Sequence, residues 1–234
     1  MALHPDQLLR FPNQESLLNE AARLVVQSLA LRPVPSINLT GGGTIGGLYQ
    51  LLAEPYRTQI NWPALNVTWG DERFVPRNHP DHNASAARRQ LLDHVPVMPA
   101  HVHEIPTNLS NATACAESYE ATLRGIVRPG LPLFDLTLLS LGDDGHIASL
   151  LPGQPVLAEH KAWVAAVAHG RPEQRITLTY PALRQSGRLL LIASGAGKAE
   201  VLRKLLAGAE DFPASRLETE GELLLLADAA ALGE

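Results

Sequence analysis

Short apolar runs that suit buried strands alternate along this chain with segments of helical periodicity. Strand-like runs occupy residues 36–40, 65–69, 136–141, 163–168, 175–180, 188–193 and 222–226. Helical patterns occupy residues 14–31, 45–52, 83–94 and 112–127, with a further helix expected after residue 198. This alternation is typical of parallel strands joined by helical crossovers. We therefore predict an α/β protein: a three-layer α/β/α arrangement around a mostly parallel, doubly wound sheet.

Bulk properties narrow the possible partners of the protein. The chain has 234 residues, a length that fits one large domain or two small ones, and 45% of its residues are hydrophobic. We expect a single domain over residues 1–234. Its net charge of -5 argues against nucleic acid and membrane surfaces as partners, because both select basic faces. No long exposed apolar stripe is apparent, so we expect a monomer.

The same composition favours the cytoplasm. The single cysteine, Cys115, excludes an internal disulfide and fits a reducing compartment. It lies in a segment with helical spacing and reads as a helix-face thiol. The first residues lack the basic start and apolar run of a signal peptide. Nine histidines occur without CxxC or HExxH spacing, so no metal site is indicated.

Polar, glycine-containing turns follow four of the predicted strands. They read GGGT, GDER, GDDGH and GAGK, beginning at Gly41, Gly70, Gly142 and Gly195. If those strands are parallel, all four turns lie at one edge of the sheet, where open α/β proteins bind their ligands. The pattern predicts a single site.

The turn after residues 136–141 places a carboxylate and an imidazole at this edge. Asp144 and His146 lie there, and histidine is the side chain best suited to proton transfer near neutral pH. A helical segment is expected to begin at Ile147. An ordinary exposed turn is the alternative interpretation of the same residues.

The Gly41-Gly42-Gly43-Thr44 turn suits a phosphate. Glycines let backbone N–H groups approach an anion, and the following helix adds its positive N-terminal end. Neither a P-loop nor the usual GxGxxG fingerprint is present, and a plain tight turn is the alternative. Arg175 and Lys198 are candidate cations around that phosphate, although Arg175 could equally be a surface residue.

A fourth element, WGDERFVP, supplies an acid and a base. Asp71 could orient sugar hydroxyls or a water molecule, and Arg73 could stabilise developing negative charge. From these residues alone, a solvated turn is an equally good interpretation.

Taken together, the motifs resemble the 6-phosphogluconolactonases, within the glucosamine-6-phosphate isomerase/6-phosphogluconolactonase superfamily. The resemblance covers nearly the whole chain and includes, in order, LTGGGTIGGLYQLL, TWGDERFVP with HNASAARRQLLDHV, LLSLGDDGHIASLLPG, QRITLTYPAL and ASGAGKAEVL. It implies a phosphosugar-isomerase-like fold and hydrolysis of a phosphorylated sugar lactone in the oxidative pentose phosphate pathway, with no metal or organic cofactor.

The resemblance also implies roles for individual residues. His146 matches a general base acting on water, and Asp144 is a candidate to orient it. Arg73 is a candidate for stabilising the oxyanion, with backbone N–H groups as competitors, and Asp71 matches an acidic position facing the sugar. The phosphate-binding positions correspond to Gly41, Gly42, Gly43, Thr44, Arg175 and Lys198.

Two of these motifs depart from the family pattern. The usual SGGSTP has Gly43 and Ile45 in place of Ser and Pro, and GEDGHTASLFPG has Asp143, Ile147 and Leu151 in place of Glu, Thr and Phe. The first change removes one possible hydroxyl donor to phosphate but leaves the backbone turn.

Two other functions fit the same superfamily. A glucosamine-6-phosphate isomerase/deaminase would need a carboxylate after the histidine, where this chain reads HIASLLPG. A non-catalytic phosphosugar-sensing domain would be joined to an N-terminal DNA-binding module, for which the segment before the first helix leaves no room. We expect the lactonase activity instead.

Overall fold

The computed structural model describes residues 3–234 and divides them between two sheets and the helices around them. The nine strands are β1 (Gln7–Phe11), β2 (Ser36–Leu39), β3 (Asn66–Trp69), β4 (Asp71–Arg73), β5 (Leu136–Ser140), β6 (Val164–Val167), β7 (Arg175–Leu178), β8 (Arg188–Ala193) and β9 (Glu222–Asp228). The α-helices are α1 (Gln14–Leu29), α2 (Gly43–Ala53), α3 (Asn83–Gln90), α4 (Ala112–Gly125), α5 (Tyr180–Leu183), α6 (Ala199–Leu206) and α7 (Ala229–Leu232).

The main sheet has six strands in the order β1-β9-β8-β5-β2-β3, and all its pairings are parallel. Helices α1 and α2 pack against each other, and the right-handed crossover rule puts them on one face of this sheet and α4 and α6 on the other. The predicted mostly parallel α/β architecture is confirmed. Strands β2, β5, β8 and β9 are almost wholly buried, as expected for strands covered on both sides.

The chain changes direction across this sheet between β2 and β5. From β2 the next paired strand is β3 on one side, whereas β5 leads to β8 and β9 on the other. Such a switch point opens a crevice at the carboxyl ends of the two strands. The GGGT turn follows β2 and the GDDGH turn follows β5, so the topology brings these two motifs to that crevice.

A second, antiparallel sheet with the order β4-β7-β6 was not predicted. The GDER segment, expected to be a turn, contributes β4, because residues 71–73 pair with β7. The predicted strands at residues 163–168 and 175–180 form β6 and β7 of this sheet, not strands of the main sheet.

One further expectation was wrong, and one strand was not predicted. No helix begins at Ile147: Ala148 has a φ of 49°, and Ile147 pairs with Leu150 in an isolated bridge. Strand β1 was missed, and it extends the main sheet by pairing with β9. Within residues 3–234, no helix has the length and apolar character needed to cross a membrane.

Candidate active site

A cavity of about 360 Å³ lies at the carboxyl ends of β2 and β5, beside the small sheet. All the predicted site residues line it: Gly41, Gly42, Gly43, Thr44, Asp71, Arg73, Asp144, His146, Arg175 and Lys198. The structure therefore brings the four sequence motifs together in space. The chemical roles assigned to these residues stay predictions.

The glycine turn presents the N-terminus of α2 to the cavity. Gly42 occupies the cap position with a φ of 120°, a conformation that favours glycine. No side chain of the described residues caps this helix. The first N–H groups of α2 therefore remain available to an anion, and the helix dipole favours negative charge there.

His146 and Asp144 form a close pair in the loop after β5. Asp144 Oδ1 lies 2.5 Å from Nδ1 of the imidazole and also accepts the backbone N–H of His146 at 3.2 Å. The hydrogen bond from His146, reinforced by Arg171, lowers the pKa of Asp144 well below its usual range despite partial burial. An ionised carboxylate can only accept, so in the neutral form of the imidazole Nδ1 carries the proton and Nε2 keeps its lone pair.

Gly142 makes room for this imidazole. A Cβ atom at Gly142 would lie 2.1 Å from Nδ1 of His146, far inside van der Waals contact. The ring therefore rests against bare backbone. The loop is closed by two hydrogen bonds: Gly142 N–H donates to the carbonyl of His146 at 2.8 Å, and Gly145 N–H donates to the carbonyl of Gly142 at 3.0 Å.

Arg171 is a cavity residue that the sequence did not reveal. It lies in the loop between β6 and β7, and its Nη2 donates to Asp144 Oδ2 at 2.6 Å. No motif marks it, because its nearness to Asp144 depends on how the small sheet packs on the main one.

Two arginines of the small sheet face each other across a strand pair. Arg73 and Arg175 are register partners in β4 and β7, and both line the cavity. Arg175 is only 9% exposed, and burial together with Arg73 lowers the pKa of its guanidinium. The Nε atoms of both side chains are buried without a hydrogen-bond partner among the described residues. Unsatisfied, like-charged donors of this kind suit an anionic ligand.

Asp71 is held by neighbours that were not predicted as site residues. Ser149 Oγ donates to Asp71 Oδ2 at 2.6 Å, and the Asn83 amide donates to the Asp71 carbonyl at 3.0 Å. Asp71 is 4% exposed yet lines the cavity. Asn83 belongs to the HNAS motif, which could have marked it as a site residue. For Ser149 the sequence offers only its position near His146.

Glu72 fixes the geometry behind these residues. Its fully buried carboxylate accepts backbone N–H groups of Arg73, Asn83 and Ala84 at 2.7–2.9 Å. It also lies 3.2 Å from Nδ1 of the buried His82. Burial raises the pKa of Glu72 to about 7, although the three N–H donors oppose the shift. The side chain joins β4 to the start of α3.

Lys198 already has an anionic partner. It lies in a single 3₁₀ turn, Ala196–Lys198, and its Nζ contacts Asp143 Oδ1. Asp143 is 74% exposed, so this ion pair faces solvent. Separately, residues 3–234 contain no cluster of three or more His, Cys, Asp or Glu side chains arranged to hold a metal ion.

The chain matches a known protein family over most of its length. The family model for glucosamine-6-phosphate isomerases/6-phosphogluconolactonase matches residues 12–225. A 6-phosphogluconolactonase of Streptomyces coelicolor is 37% identical over 92% of this chain and 88% of its own length. A probable chloroplastic 6-phosphogluconolactonase of Oryza sativa subsp. indica is 37% identical over 81% of this chain, which spans only 61% of that relative.

Solved structures share the fold. A 6-phosphogluconolactonase from Trypanosoma brucei superposes with a TM-score of 0.84 at 26% identity, covering 99% of each chain. A monomeric glucosamine-6-phosphate deaminase superposes equally well, with a TM-score of 0.86 at 24% identity over 97% of this chain and 99% of that one. The fold alone therefore does not separate the two activities.

Proposed function

The chain belongs to the glucosamine-6-phosphate isomerase/6-phosphogluconolactonase family, and from that premise we propose that it hydrolyses 6-phosphogluconolactone to 6-phosphogluconate. It would thus be a carboxylic ester hydrolase of carbohydrate metabolism. The observation that carries this proposal is the His146–Asp144 pair, in which an ionised carboxylate leaves Nε2 free as a base inside a cavity that also holds an anion-binding turn.

The proposed reaction has two steps at the lactone carbonyl. Nε2 of His146 accepts a proton from water while the water oxygen bonds to C1, which becomes tetrahedral and carries an oxyanion. The intermediate then collapses, the bond from C1 to the ring oxygen breaks, and that oxygen takes the proton back from Nε2. The product acid releases its own proton to solvent. Arg73 is the side chain we assign to the oxyanion, because its guanidinium lines the cavity.

The phosphate is assigned to the opposite end of the substrate. The uncapped N-terminus of α2 at residues 41–44 supplies N–H donors, and Arg175 and Lys198 supply positive charge. Asp71, held by Ser149 and Asn83, is assigned to a sugar hydroxyl. Binding at a remote phosphate would orient the carbonyl for attack and lower the entropy cost of reaction.

Composition supports a proposal about the cellular setting of the protein. We propose a monomeric, single-domain protein of the cytoplasm that acts on a phosphorylated lactone and binds neither nucleic acid nor membranes. Its net charge of -5 and single cysteine support this assignment. So does the continuous hydrophobic core, which joins residues from α1 to α7.

The test is a coupled assay on freshly generated 6-phosphogluconolactone, with the spontaneous hydrolysis rate subtracted. We expect rapid hydrolysis of the phosphorylated lactone and little of the unphosphorylated one. Ammonia release from glucosamine 6-phosphate should be absent, since Leu151 stands where the deaminases carry a carboxylate. Ammonia release without lactone hydrolysis would instead identify a deaminase, and a rise in Tm with 6-phosphogluconate without either activity would identify a sensor.

A further inference from the structure

Arg171 is bound to the candidate catalytic pair without belonging to any recognised motif. Its Nη2 lies 2.6 Å from Asp144 Oδ2 and 3.5 Å from Nδ1 of His146, and its Nη1 donates to the carbonyl of Gly170 at 2.9 Å. Its side chain is 34% exposed and lines the cavity. The guanidinium is therefore fixed at two nitrogens.

The two oxygens of Asp144 are divided between two cationic or ionisable partners. Oδ1 faces His146 and Oδ2 faces Arg171. Within residues 3–234, the ion-pair partners of Asp144 are His146 and Arg171. Without Arg171, the carboxylate would keep the backbone N–H of His146 on Oδ1 but would lose the bond that fixes Oδ2. Its uncompensated charge would also stabilise a protonated imidazole, which cannot accept a proton from water.

We propose that Arg171 is a positioning residue that holds Asp144 against His146 and offsets its charge, so that the imidazole remains neutral and able to act as the base. The inference rests on the proposed lactonase function. It gives Arg171 no direct contact with the reacting atoms.

The other charged groups around the imidazole have partners of their own. On the side of β8, Lys198 is engaged by Asp143. On the side of the small sheet, Asp71 is held by Ser149 and lies beside the two arginines of β4 and β7. The segment that packs on Gly145 presents the apolar ring of Phe212. Among the residues that the structure describes, Arg171 is therefore the cation in direct contact with the pair of His146 and Asp144.

The test compares Arg171→Gln, which removes the charge, with Arg171→Lys, which keeps it. His169→Ala is the matched control, because His169 is exposed in the same loop and does not line the cavity. For Arg171→Gln we expect the acid limb of kcat/KM to move about one unit to higher pH and kcat at pH 6 to fall about tenfold, with KM nearly unchanged. Arg171→Lys should keep the limb near its parental position, and His169→Ala should match the parent.

Two results would overturn the inference: a raised KM with an unmoved pH profile, which would make Arg171 a substrate contact, or parental kinetics in Arg171→Gln. A failure of the lactonase proposal would be distinguishable, because the parent itself would then show no hydrolysis. In that case the ¹⁵N shifts of the His146 ring in the ligand-free protein decide, with His146→Gln identifying the signal. A titration midpoint that rises in Arg171→Gln supports the role, and an unchanged midpoint refutes it.

Discussion

The two sheets contribute to the cavity in different ways. The six-stranded sheet contributes residues that follow its strands: the glycine turn after β2, His146 after β5 and Lys198 after β8. The three-stranded sheet contributes residues from within its strands, namely Asp71 and Arg73 in β4 and Arg175 in β7. One side of the cavity is therefore built of loops and the other of paired backbone.

The cations on the two sides, Arg175 and Lys198, are also held differently in the absence of a ligand. Arg175 is 9% exposed, lies opposite Arg73 and leaves its Nε without a partner. Lys198 has a side chain 22% exposed and is neutralised by Asp143. Each strand arginine keeps an unpaired, buried Nε, and Arg175 has only a distant carboxylate, Glu173 at 4.0 Å, whereas the loop lysine must first leave Asp143. We infer that Arg175 of the small sheet contributes more to anion affinity than Lys198 of the main-sheet loops, while the candidate base lies on the loop side.

The largest effect is expected on the loop side, at the base. His146→Ala should lower kcat by about 10²–10⁴-fold, the range for loss of a general acid–base group, because the variant lacks the imidazole that we assign as the base. Binding of 6-phosphogluconate, measured by calorimetry, should be retained. Hydrolysis at the parental rate would show that the base lies elsewhere.

The next effect compares the two cations directly. Arg175→Ala should raise KM by about 10–100-fold, since it removes a buried, charge-assisted donor, with kcat changed less. Lys198→Ala should raise KM only several-fold, because the parent must first break the Lys198–Asp143 contact. The comparison requires steady-state kinetics on both variants, and equal or reversed KM effects would contradict the division between the sheets.

A third prediction concerns the stability of the small sheet. The folded pKa of Glu72 is raised to about 7 from an ordinary value of 4.5, so the native state binds this proton more tightly than the unfolded chain. Its contribution to stability is present below about pH 4.5 and is lost as the pH rises through about 7. The Tm advantage of the parent over Glu72→Gln, measured by thermal denaturation, should therefore shrink by several degrees across this window. A constant or growing advantage would refute the shift.

The smallest effect is expected at the exposed ion pair. Asp143→Asn should lower KM by about two- to fivefold, because Lys198 would be free to meet the phosphate, and surface ion pairs are worth at most about 1 kcal/mol. The gain should fade at high salt. An increase in KM would mean that Asp143 orients the lysine productively.

The sequence predicted the loop side of the site better than the strand side. Glycines and polar residues directly after apolar strands mark a sheet edge, so Gly42, His146 and Lys198 could be placed there from local pattern alone. Asp71, Arg73 and Arg175 were selected as well, but as turn or strand-end residues, and their shared antiparallel sheet was not predicted.

What was missed depends on contacts distant in sequence. Arg171 contacts Asp144, 27 positions away, and Ser149 contacts Asp71, 78 positions away. The local periodicity of the sequence does not indicate contacts at such separations. Strand β1 is short and only partly buried, and pairs with a strand more than two hundred residues away. The helix expected at Ile147 fails because Ala148 adopts a left-handed conformation that ends any regular structure there.

The bare backbone at Gly142 has a consequence for judging relatives of this protein. A methyl group at that position would displace the imidazole while leaving every functional side chain of the cavity present. A homologue could then retain each recognised acid, base and cation and still be inactive. When the catalytic residues of a homologue are inspected, the position of Gly142 should therefore be inspected too, because it must lack a Cβ atom.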